Sequence, residues 1–181
     1  MQPSSIAAPG GTHALALPSI RPLAIGLGGT ALFGFALRTA VTHEALSVTH
    51  LGWAFALPAV NLLAWALCLP ALYILWVTRQ PGLGAAHCVQ AALDAIHTLG
   101  VCLVSTTPLL WFFAATAPES SIVSPLAFLF TVLALLGSGH VFSQSLERHG
   151  VSFTSSTRVA FLVLHAITFA QCAHGAGLYW R

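Results

Sequence analysis

The chain has 181 residues, 57% of them hydrophobic and only 6% charged, with a formal net charge of +2. A soluble domain carries about a quarter charged residues, so a mean hydropathy of +0.86 excludes an ordinary wetted surface and implies an integral membrane protein. Lysine is absent and the six arginines are scattered, so no basic patch of the kind that binds nucleic acid is present.

Residues 1–18 are rich in proline, glycine and serine, with no positive charge before Arg21. The basic start of a signal peptide is missing, and the apolar run that follows is too long for one. Residues 1–20 are therefore expected to form a retained, mobile tail ahead of a single membrane domain over residues 21–181. The first span covers about residues 23–41, where Gly26, Thr30 and Gly34 recur every four positions. Such a face lets another helix approach closely. Arg38, near the far end, can reach the headgroups.

Residues 42–49, with His43 and Glu44, and the following His50 make a polar turn before the second span at 51–77. Trp53 and Trp76 lie 23 residues apart, or ~35 Å along a helix, the separation of the two aromatic belts of a bilayer. Pro58 and Pro70 each free a carbonyl and are expected to kink this span. Asn61, one turn from Pro58, is suited to bond a neighbouring helix. A tight turn at 78–82 leads to the third span, 85–115, which closes with an aromatic belt of Trp111, Phe112 and Phe113. Ser124 and Pro125 read as an N-cap followed by a proline at the first helical position, opening the fourth span at 125–146. Residues 147–150 break it, and a fifth span at 158–180 carries His165, Gln171 and His174.

The expected fold is thus an all-α bundle of five transmembrane helices with short connections. With the N-terminus inside, Arg21, Arg79, Arg148 and Arg158 lie in the cytoplasm, against Arg38 and Arg181 outside. That bias predicts an N-in, C-out, multi-pass protein of a bacterial inner membrane.

The third span holds the most informative stretch. His87, Gln90, Asp94 and His97 step by three or four residues and share one helix face. Asp94 is the one acid within an apolar run, and an ionisable group in hydrocarbon costs ~2.5–3.5 kcal/mol on insertion scales. This face should therefore point into the bundle. Asp94 can be ionised and paired, protonated and neutral, or a proton-relay group. Arg38 lies too far along the bilayer normal to pair with it directly, whereas His97, His140 or His165 lies nearer. The bland alternative is a polar knot that sets helix register.

Nine histidines are unusual in so apolar a chain. Counted from the inner boundary, His97 lies ~17 Å deep, His165 ~12 Å and His140 ~9 Å. One imidazole from each of three helices at comparable depth would suit bis-histidine ligation of haem b, or zinc or copper. Packing histidines, hydrogen-bonded within the bundle, are the simpler account. Cys68, Cys88, Cys102 and Cys172 stand singly, without C-x-x-C, and read as small buried hydrophobes. Ser138 within Gly137-Ser138-Gly139-His140 does not meet G-x-S-x-G and lies on a helix, so no catalytic residue is assigned.

The run Leu27-Gly28-Gly29-Thr30-Ala31-Leu32-Phe33-Gly34, with Leu69-Pro70-Ala71-Leu72-Tyr73 in the second span, resembles small bacterial polytopic proteins similar to the Yip1-type five-span family. The order of spans agrees over roughly residues 23–180. The resemblance implies a five-helix bundle without catalytic residues, a scaffold or accessory subunit that packs against other membrane subunits or a second copy. The histidine stripe is not part of that family's pattern. Three functions stay open: scaffold, haem or metal electron carrier, and a proton or ion path through Asp94 and His97.

Overall fold

The computed structural model describes residues 20–42, 48–78, 84–117, 122–151 and 154–178. Residues 1–19 of the expected tail, the turn residues His43, Glu44 and Arg79, and Glu119 and Arg181 lie outside these, whereas Ile20 already opens the first helix. The described residues form five helices: α1 (Ile20–Thr42), α2 (Val48–Val77), α3 (Ala85–Thr116), α4 (Val123–Arg148) and α5 (Ser155–Gly175). Each is long and apolar enough to cross a membrane, which makes the protein an all-α, five-span integral membrane bundle. At 32 residues α3 is the longest, ~48 Å end to end. That exceeds the ~30 Å hydrocarbon core, so α3 tilts or projects beyond it.

Two helix ends differ from the sequence expectation for local reasons. α4 begins at Val123 with Ile122 at its N-cap and no side-chain cap bond, so Ser124 and Pro125 lie inside its first turn. Proline lacks only an N–H that the first turn leaves free anyway, so it marks that turn and not one position within it. α5 stops at Gly175 instead of running to 180. Gly177 takes a positive φ of 70°, Leu178 N–H bonds the Ala173 carbonyl, and Gly177 N–H bonds that of His174. This Schellman closure buries Leu178 and ends the helix. Gly150, at φ 83°, closes α4 in the same way, with Val151 N–H on the Leu146 carbonyl. At the other end of that turn Thr154 caps α5 by accepting from Thr157 N–H. α2 and α3 run helical through Pro58, Pro70 and Pro108.

The helices alternate in direction. The starts of α1, α3 and α5 share one end of the bundle, here the proximal end, and the starts of α2 and α4 the distal end. In cross-section the order is α4–α3–α1–α2–α5, with α5 only loosely closing back onto α4. The strongest contact, α1 on α3, is made by glycines. A methyl group on Gly26 would lie 2.5 Å from the Ile96 carbonyl oxygen, and one on Gly100 would collide with the Gly26 backbone. Gly34 performs the same service for α2, 2.6 Å from the Trp53 carbonyl oxygen. The Gly26–Thr30–Gly34 face is therefore covered by helices of its own chain.

An aromatic nest joins α2, α4 and α5 towards the proximal end. Trp65 sits 5.0 Å from Phe142 and 6.0 Å from Phe161 by ring centroids, and Phe142 and Phe161 are 4.8 Å apart. Trp76 stacks on Phe142 and is 5% exposed, so it faces protein and not the lipid-headgroup layer. Residue spacing sets how deep a side chain lies, whereas the facing direction depends on the neighbours. Trp111 and Phe112 are exposed at the distal end of α3 and do suit a belt.

Candidate functional site: two buried polar sets

The first polar set lies between α3 and α4. Asp94 is half-buried on the α3 face turned towards α4. Gln90 Nε2, one turn earlier, donates to its Oδ1 at 3.1 Å. Ser145 Oγ of α4, itself buried, donates to Oδ2 at 2.8 Å. Thr98 completes the turn by donating to the Asp94 backbone carbonyl at 2.9 Å. Both carboxylate oxygens are thus met by neutral donors of the same chain. Neither His97, His140 nor His165 bonds Asp94, and Arg38 is engaged elsewhere, its guanidinium 5.2 Å above the Trp53 ring.

Ser145 had no mark in the sequence beyond its spacing, one turn before His149 on the helix that faces α3. At the proximal end of the same seam His87 stacks on His149, with centroids 4.4 Å apart and planes 24° from parallel. The polar groups therefore run from His87 and His149 through Gln90 to Asp94 and Ser145. Beyond Thr98, in the distal half of α3, the buried residues are Leu99, Gly100, Leu103 and Leu110. The hydroxyls of Ser105, Thr106 and Thr107 there bond carbonyls of their own helix.

The second set lies where α2, α4 and α5 meet. His165 is 2% exposed, with its ring 4.4 Å from Trp65 and 5.9 Å from Phe161. Neither of its ring nitrogens has a hydrogen-bond partner, and the same holds for the Trp65 indole N–H. Asn61, one turn before Trp65 on α2, is 0% exposed, and both ends of its amide are unpartnered. Asn61 thus turns inward as its position suggests, but it bonds no neighbouring helix. Buried polar groups are nearly always paired, which makes this set the least satisfied part of the bundle.

The three candidate haem or metal ligands occupy separate surroundings. His97 is half-buried beside the α1 crossing, with Nδ1 unpartnered. His140 is exposed and pairs with Gln144 of its own helix at 2.9 Å. His165 belongs to α5, which is not a neighbour of α3. Among the described residues no group of three or more His, Cys, Asp or Glu side chains is placed to hold a metal ion. His50, assigned to a turn by sequence, lies in the first turn of α2, fully buried, with Nε2 3.2 Å from Thr42 Oγ1. The hydroxyl of Ser138 is buried and donates to the Leu135 carbonyl of its own helix.

The fold and these two sets define the class: a polytopic helical membrane protein with polar groups held between its helices. Comparison with known proteins finds no matching family model, no matching curated protein and no matching solved structure.

Proposed function

We propose that the chain is a non-enzymatic integral membrane protein, an accessory subunit or scaffold of a bacterial inner-membrane assembly. The observation that carries this is the state of Asp94. Its two oxygens are committed to Gln90 and Ser145, and the next inward positions of α3, Leu99 and Leu103, are buried and apolar. A carboxylate so held favours a lock on the α3–α4 register over a proton relay. The Yip1-type affiliation belongs to the same proposal and rests on the order and number of spans.

The test is a pair of substitutions. In Asp94→Asn the amide keeps size and hydrogen-bonding capacity, and the Ser145 hydroxyl can rotate to accept from it. Stability in detergent should change by less than about 1 kcal/mol, whereas Asp94→Leu strands the buried Ser145 donor and the half-buried Gln90 donor and should cost ~1–3 kcal/mol. Wild-type protein in vesicles should show no proton flux above empty vesicles. Flux that Asp94→Asn abolishes in a folded protein would sink the structural account. A visible spectrum with Soret and α-bands at one haem per chain would overturn it in favour of the electron carrier.

A further inference from the structure

Between α4 and α5 the bundle is open. The two helices are pinned at the proximal end by Phe142 on Phe161 and by the Arg158–Glu147 ion pair. Further along they diverge and leave a cleft of about 330 Å³. Its walls include Thr131 and Leu135 of α4 and Leu162, Phe169 and Ala170 of α5, with His165 at the back. Phe128, Leu136 and Ile167 line its mouth and are half or more exposed on the lipid-facing side. Without α4 against it, α5 is held mainly by one line of side chains, Phe161, His165, Phe169 and Ala173.

We infer that this cleft is a binding site for an uncharged, membrane-dissolved amphiphile: a long hydrocarbon tail with a hydroxyl head directed at His165. Three observations select that class. No Asp, Glu, Lys or Arg lines the cleft, so a charged headgroup would enter unpaired, which burial forbids. The volume falls in the ~300–1,000 Å³ range of small-molecule sites and cannot admit a helix, which with side chains is ~10–12 Å across. At the back of the cleft stands an imidazole with two unpartnered nitrogens, and the Trp65 indole packed on it is unpartnered too.

A pure hydrocarbon would fill the walls and leave those groups unsatisfied. A hydroxyl both donates and accepts, so it meets whichever nitrogen of a neutral imidazole it reaches. The His165 ring forms part of the wall with both nitrogens covered. Binding requires rotation about its Cβ–Cγ bond, a soft torsion, to turn one of them to the cleft. The inference is independent of the Asp94 seam, which lies on the other side of α4.

The test uses the full chain in phosphatidylcholine vesicles and a diazirine-bearing long-chain alcohol as photolabel. Adducts should concentrate on residues 128–136 and 162–173, and unlabelled hexadecanol should compete at least tenfold better than hexadecane. His165→Phe keeps an aromatic ring against Trp65 and Phe161 and removes the hydrogen bond. It should lose about tenfold in competition by the alcohol, the equivalent of one hydrogen bond. Ala170→Phe fills the cleft from an exposed wall position and should abolish the labelling without disturbing the core, so a poorly folded His165 variant does not end the test. Equal competition by alcohol and alkane, or adducts spread evenly over all five lipid-facing helices, would overturn the proposal. So would an Ala170→Phe protein that labels like wild type.

Discussion

Gly26 and Gly100 show what a missing side chain contributes. Backbone packs directly on backbone where α1 crosses α3, and a single methyl group at Gly100 would collide with Gly26. Gly100→Ala should therefore destabilise the protein by ~1–3 kcal/mol through overpacking. Gly28, two residues along α1, meets nothing within 4 Å. Gly28→Ala should be neutral or slightly stabilising, since alanine suits a helix better by up to ~1 kcal/mol. Thermal unfolding in one detergent, followed by circular dichroism, compares the pair directly; equal midpoints would show that the crossing is looser than described. Ser145 makes the complementary case for a polar contact. Ser145→Ala removes the donor to Asp94 Oδ2, leaves a buried oxygen unmet, and should cost ~1–3 kcal/mol. A double variant with Asp94→Asn should cost less than the two changes added together, because both act on the same bond.

Among the elements α5 is the weakest member. It leans on α2 and barely touches α4, so its attachment depends on the aromatic nest and the turn before it. Phe142, fully buried between Trp65, Trp76 and Phe161, is the keystone of that nest. Phe142→Ala should cost ~3–5 kcal/mol and release α5 first, seen as early proteolysis near residues 150–156 while the α1–α3 core remains intact. Cleavage that is no faster than in wild type would mean α5 is held by something other than the nest. The Arg158–Glu147 pair supports the same turn, but each side chain is about a third exposed. Solvent screens such a pair, so Glu147→Gln should cost less than about 1 kcal/mol, with the difference shrinking further in high salt.

For the whole molecule the five alternating spans place the starts of α1, α3 and α5 on one side of the membrane and those of α2 and α4 on the other, and the arginine bias predicts which side is which. A membrane-impermeant maleimide added to intact cells should label Ile122→Cys, exposed at the distal end. It should leave Ser156→Cys, at the proximal end, unlabelled until the membrane is opened. The reverse pattern would invert the orientation while leaving the bundle unchanged. Native Cys68 and Cys88 are buried and should not contribute signal.

Span number and span position were legible in the sequence. Burying a backbone in hydrocarbon forces every peptide group into a helix, and runs of 20 or more apolar residues broken by turn residues mark where those helices must lie. Asp94 turns towards α4, as an acid that cannot face lipid should, and His87 and Gln90 share that side by their three-to-four spacing, whereas His97 lies beside α1. Helix order in cross-section was not legible, because lipid is as apolar as leucine and hydropathy cannot tell a lipid-facing side from a protein-facing one. Hence the Gly26–Thr30–Gly34 face, suited to any partner helix, turned out to be filled by α2 and α3. His97, His140 and His165, close in depth, came to lie in three different environments. Ser145 and the α4–α5 cleft are likewise products of tertiary structure. Depth along the bilayer follows from counting residues, but azimuth around the bundle follows only from which helix packs against which.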